Sequence, residues 1–108
     1  MSIPAESLSH PAVRDFVAAV NAGDRNAFAD VLTPNATMSD DGSERDLYQW
    51  AEQEIFSAHG RMDVESEEPG GLVLVARYSN DTWGAMRTAW QFTITDDEKI
   101  SRFETGQA

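Results

Sequence analysis

Apolar positions recur along this chain in two rhythms, and the switch between them divides it. Val13, Phe16, Val17 and Val20 are spaced by three and four residues, which puts them on one helix face. Ser9 before His10-Pro11 predicts the start, Ser as a cap for free backbone N–H groups and Pro for the first turn. Gly23 predicts the stop. Asp24 then caps a second, short helix with Ala27, Phe28, Val31 and Leu32 inward, ended by Pro34. A short strand is expected over residues 35–39, with Asp40-Asp41-Gly42 turning the chain. Ser43-Glu44-Arg45-Asp46 resembles a capping box with Asp in its last place. It opens a third helix running to about His59, with Leu47, Trp50, Ala51, Ile55 and Ala58 inward and Gly60 at its end.

Beyond Gly60 the period becomes two. Met62, Val64 and Ser66 alternate with Asp63, Glu65 and Glu67, a half-buried strand. Pro69-Gly70-Gly71 is a turn, residues 72–79 form a strand apolar on both faces, and residues 80–84 turn again. Met86, Thr88, Trp90, Phe92 and Ile94 then alternate with Ala85, Arg87, Ala89, Gln91 and Thr93, the longest clean alternation in the chain. Asp96-Asp97-Glu98 leads into a last strand over residues 99–105. Short turns imply antiparallel neighbours, so the chain reads as an α+β domain: three helices against one face of a curved antiparallel sheet, in the order α-α-β-α-β-β-β-β. Residues 1–108 make a single domain, with residues 1–8 and the last few loose.

Composition narrows the chemistry. Nineteen acidic residues against eight basic give a formal net charge of -11, which argues against nucleic acid and anionic membrane as partners. Without cysteine there is no disulfide, thiolate nucleophile or Cys-ligated zinc. The longest aliphatic run, residues 72–76, is too short for a membrane-spanning helix. The first six residues lack the basic and apolar parts of a signal peptide, so the cytoplasm is the expected location.

Two helices joined by Asn21-Ala22-Gly23-Asp24, then Pro34-Asn35-Ala36-Thr37, an acidic turn, and the closing run from Phe92 to Ile100 resemble, in order and spacing, the nuclear transport factor 2-like superfamily. That group includes ketosteroid isomerases and SnoaL-like polyketide cyclases. The resemblance covers roughly residues 9–106. It implies a cone-shaped, cystatin-like α+β barrel, a pocket between curved sheet and long helix, and a homodimer. It also permits a test against the isomerases. Their general-base aspartate falls on Asp40. Their oxyanion tyrosine falls on Phe16, which donates no hydrogen bond, and their second oxyanion group falls on Thr88. A base without an oxyanion hole is half a mechanism, which argues against steroid isomerisation.

Asp40 is therefore the candidate catalytic residue: in an apolar pocket, desolvation would raise its pKa into the range a general base needs. The competing reading makes Asp40 and Asp41 ordinary turn residues before Gly42. Phe16, Trp50, Tyr78, Met86, Thr88 and Trp90 are the expected pocket lining, and Trp83, a large ring in a turn, caps either the pocket or an interface. Arg102 shares the parity of Ile100 and would face inward, where it suits an anionic substrate, unless a bulge turns it out to an ion pair. Arg87 points outward, towards Glu65 or an acid across a dimer. His10 and His59 sit at helix ends, where capping and dipole effects account for them. Neither metal-ligand spacing nor a phosphate loop is present, and no cofactor is implied. The expectation is a SnoaL-like domain that binds a small apolar or aromatic molecule, as a cofactor-free isomerase, cyclase or dehydratase. The alternative is a non-catalytic ligand-binding or protein-interaction module. The outward set Ala85, Arg87, Ala89, Gln91 and Thr93 suits an isologous sheet-to-sheet dimer.

Overall fold

The computed structural model describes residues 2–108. A turn of 3-10 helix at Ala5–Ser7 leads to α1 (Pro11–Ala22) and α2 (Arg25–Asp30). Strands β1 (Leu32–Asp40) and β2 (Ser43–Arg45) follow, then α3 (Leu47–Ala51), which continues as a π-helical turn at Glu52–Phe56. The remainder is β3 (Arg61–Glu67), β4 (Val73–Asn80), β5 (Gly84–Ile94) and β6 (Ile100–Gln107). The strands make one six-stranded sheet in the order β2-β1-β6-β5-β4-β3, with the helices packed on it, an α+β architecture.

The four strands after Gly60 form the antiparallel meander that their turns require. The sheet as a whole is mixed, because β1 pairs parallel with β6. That pairing follows from chain order: β1 reaches the far edge of the meander long before β6 is made, and a crossover of more than fifty residues leaves strand direction free. Pro34 lies inside β1 rather than ending α2. It sits where the β1–β6 register slips between Leu32 and Thr37, a stretch in which its missing N–H costs no ladder bond.

Residues 43–45 are strand, not a capping box. Asp41 (φ 49°) and Gly42 (φ 83°) form the two-residue loop of a hairpin that pairs Asp40 with Ser43. The cap of α3 is Asp46, whose side chain accepts from the Gln49 N–H at 3.0 Å. Similarly, His10 rather than Ser9 caps α1, its Nδ1 accepting from the Ala12 N–H at 3.1 Å, while Ser9 bonds Glu67 through both backbone and hydroxyl. The start of the chain is also tied down: Ile3 pairs with Val64 and Leu8 is buried. The Gln107–Thr88 pair and the Ala108 N–H to Arg87 C=O bond hold the other end. Of residues 1–8, Met1 lies outside the described residues.

The helical stripe and the β5 alternation meet in the core as their periods require. Phe16, fully buried, has Phe28, Phe92 and Phe103 around it at ring-centroid distances of 5.3, 5.0 and 5.1 Å. Trp90 lies next, 6.0 Å from Phe16 and 6.3 Å from Trp50. Two bulges break strand parity. Glu65 is the extra residue on β3 and turns Ser66 outward. Ser101 is the extra residue on β6, between the Ile94–Ile100 and Thr93–Arg102 pairs.

Candidate functional site

One end of the cone is packed solid by the phenylalanines. The other end stays open as a cleft of about 270 Å³ between β1, the third helix, β4, β5 and the end of β6. Asp40, Trp50, Tyr78, Met86, Thr88 and Trp90 all line it, so six of the sequence-predicted site residues converge. A larger hollow of about 550 Å³ lies on the outside of α1 and α2, floored by alanines and remote from these groups.

Asp40 ends β1, where the hairpin starts, and is half-buried. The Trp50 indole donates to its Oδ2 at 3.1 Å. Its Oδ1 has no protein donor among the described residues, which leaves that oxygen able to take a proton from a ligand. Neighbouring Asp41 accepts the Gln107 backbone N–H at 2.9 Å.

The hydroxyls are committed elsewhere. Thr88 is buried; its Oγ1 donates to the Ala76 carbonyl at 3.0 Å and accepts from the Trp90 indole at 2.8 Å. Its single proton is thus spent inside the sheet, and it cannot serve as the oxyanion donor that the isomerase comparison assigns to its position. Tyr78 donates to the Glu54 carbonyl. Burial pushes the Tyr78 phenol up to about 12, aided by the Glu54 charge and opposed by the bond to Asn80.

That carbonyl is available because the third helix changes pitch. In the π turn the Ser57 N–H reaches back five residues to the Glu52 carbonyl. Tyr78 and Asn80, the latter at 2.9 Å, then serve the Glu54 carbonyl from β4. Gly60 lets the chain pass close to this point, since a Cβ there would overlap the Tyr78 oxygen. The left-handed conformation that ends the helix belongs to His59 (φ 56°). The Glu54 side chain is thereby set at the cleft mouth, where the Trp83 indole donates to its Oε2 at 3.0 Å.

Two expected pocket residues lie elsewhere. Phe16 belongs to the packed core below the cleft, because rings fill the space that a ligand would otherwise reach. Arg102 faces the outer side of the sheet, because the Ser101 bulge reverses its parity. There it bonds Thr37 Oγ1 at 2.9 Å, pairs with Glu44 and lies 3.7 Å from Glu104. Its guanidinium holds the Glu44 carboxyl below the usual carboxylate range. Glu54 and Asn80 carry no signal in the sequence, since both read as exposed polar positions. Trp83 did carry one, as a large ring in a turn, and its partner is Glu54.

A curved six-stranded sheet wrapped on three helices, closed at one end and open at the other, recurs in known structures. A protein assigned as a polyketide cyclase from Sinorhizobium meliloti superposes with a TM-score of 0.76 at 20% identity, over 95% of this chain and 99% of that one. This is the nuclear transport factor 2-like fold. A Cytophaga hutchinsonii protein that bears the fold's name, of unknown function, matches with a TM-score of 0.68 at 13% identity, over 97% and 90% of the two chains. SalBIII, an epoxide hydrolase/cyclase-like enzyme of pyran ring formation in salinomycin, matches with a TM-score of 0.67 at 19% identity, over 90% and 88%. No protein-family model and no curated protein sequence matches the chain. At these identities the likeness is one of fold, and a fold by itself does not fix function. Among the described residues no helix is long and apolar enough to cross a membrane.

Proposed function

We propose that this protein binds a small, mostly apolar or aromatic molecule in the cleft and that Asp40 acts there as a general base, in cofactor-free isomerase, cyclase or dehydratase chemistry. The observation that carries the reading is the Asp40 carboxylate itself. One oxygen is fixed by the Trp50 indole, the other has no protein donor among the described residues, and the residue lines a cleft walled by aromatic rings. The polyketide cyclase and epoxide hydrolase/cyclase-like neighbours of the same fold support it as analogies. A neutral donor holds the proton acceptor in place without neutralising its charge.

A second reading, a non-catalytic ligand-binding or protein-interaction module, is favoured by one observation: the Thr88 and Tyr78 hydroxyl protons are both engaged, so neither stabilises a developing oxyanion. Asp40→Asn separates the two readings. Loss of turnover at saturating substrate, with binding still detectable, supports the base. Unchanged turnover on a bound substrate removes it and leaves the module.

The outer sheet face, with Ala85, Arg87, Gln91 and Thr93 exposed, is proposed as the contact of a homodimer.

A further inference from the structure

Among the described residues, the carboxylates that meet a cationic side chain do so away from the cleft. Arg25 pairs with Glu52, His59 with Asp81, Arg87 with Glu65, and Arg102 with Glu44 and Glu104. The three carboxylates of the cleft are held otherwise. Asp40 takes the Trp50 indole at 3.1 Å, Asp41 the Gln107 backbone N–H at 2.9 Å, and Glu54 the Trp83 indole at 3.0 Å. A neutral donor fixes where a carboxylate points and leaves its charge in place. Arg45, the one basic residue on the rim, is within ion-pair distance of none of them.

The same walls present the rings of Trp50, Tyr78, Trp83 and Trp90, and Trp83 is 63% exposed at the mouth. Aromatic faces and carboxylates share one electrostatic preference. The ring quadrupole attracts a cation, and so does an uncompensated carboxylate at short range. A carboxylate ligand would meet like charge here. A neutral one would displace water from three anions and return at most a hydrogen bond.

We infer that the ligand of this cleft carries a positive charge: an aromatic or alicyclic amine, its ring against Trp50 and Trp83 and its ammonium group among Asp40, Asp41 and Glu54. Glu54 is the residue that sets the preference. This rests on the cleft being a small-molecule site and adds the charge of the molecule. Arg102, which would have favoured an anion, is on the far side of the sheet.

Three probes with one ring system and three charges test it: 2-naphthylmethylammonium, 2-naphthylmethanol and 2-naphthoate, titrated into the intact protein while the tryptophan indole N–H resonances are followed. The ammonium is expected to bind about tenfold more tightly than the alcohol, the combined scale of short-range charge attraction and cation–π contact at a half-open site, and naphthoate most weakly. Glu54→Gln and, independently, Asp40→Asn should each cut the ammonium-to-alcohol ratio several-fold. Glu65→Gln, on the outer surface, should leave it unchanged. Equal binding of alcohol and ammonium would overturn the charge preference while keeping the site. An equal effect of Glu65→Gln and Glu54→Gln would assign the preference to the overall charge and overturn it too. If no probe moves any indole resonance, the small-molecule reading of the cleft falls, and this inference with it.

Discussion

The Trp50 indole nitrogen lies 3.1 Å from Asp40 Oδ2, joining the third helix to the end of β1 at the point where the cleft opens. The contact spans ten residues of chain and depends on the hairpin between them, whose Asp-Gly loop returns the chain just before α3 begins. Trp50→Phe keeps the ring and removes the donor. The expected result is a half-buried carboxylate with one support fewer, a stability loss of about 1–2 kcal/mol by chemical denaturation, and weaker discrimination among ligands. A variant as stable and as selective as the parent would show that the bond positions nothing.

Phe16 offers a test of core against pocket. Truncation to Ala leaves a cavity among four rings and is expected to cost about 3–5 kcal/mol. Phe16→Tyr places a hydroxyl in the same packed space. It should destabilise by about 1–3 kcal/mol and confer no isomerase activity. A Tyr variant of full stability with new proton-transfer activity would mean that a ligand reaches this position.

Tyr78 gives the pH dependence at the alkaline end. With its folded pKa raised to about 12 from the ordinary phenol value of 10.0, folding favours the neutral phenol. The associated stability is complete below about pH 10 and is lost as pH rises through 12. Absorbance titration near 295 nm should find a tyrosine ionising near 12, and Tyr78→Phe should abolish that component.

At the acid end, hydrogen bonds from Arg25 and Ser57 hold the Glu52 carboxyl at about 2. A depressed carboxylate contributes stability above its unfolded value of 4.5 that is lost as pH falls through 2. The pair is solvent-exposed, so the contribution is small and salt should weaken it. Arg25→Gln should flatten the acid limb of a stability profile between these values, at low salt more than at high.

The proposed dimer is read from mass. Light scattering at tens of micromolar should give twice the mass of the chain, and Ala89→Arg, in the middle of the outer face of β5, should return the monomer. A parent protein already monomeric at that concentration removes the proposal.

Much of this fold was legible wherever one periodicity ran unbroken. Val13, Phe16, Val17 and Val20 on α1, and Thr88, Trp90 and Phe92 on β5, are buried as their spacing requires. Legibility failed at single-residue events. Ser66 and Arg102 lie one step past a bulge, where parity reverses, and no local preference in the sequence announces the extra residue. The Ser43–Arg45 strand is hard to read because a cap signature and an edge strand use the same polar residues, and the Asp-Gly loop before it is the better guide. The site was legible where it consists of rings and one strand-end acid. Glu54 was not, because a π turn places it, and that turn depends on Tyr78 and Asn80 from a strand more than twenty residues later.

The extra residue in β6 has a consequence for shape. Were Ser101 deleted, Ile100, Arg102 and Phe103 would still fall opposite Ile94, Thr93 and Phe92 on the faces they now occupy. Register therefore has no need of it; curvature does. A bulge bends the strand that carries it and sharpens its twist, which makes Ser101 the expected fold line of β6. Shortening the chain there by one residue is expected to keep these pairs and to change the angle at which the two halves of the fan stand, and with it the width of the opening between them.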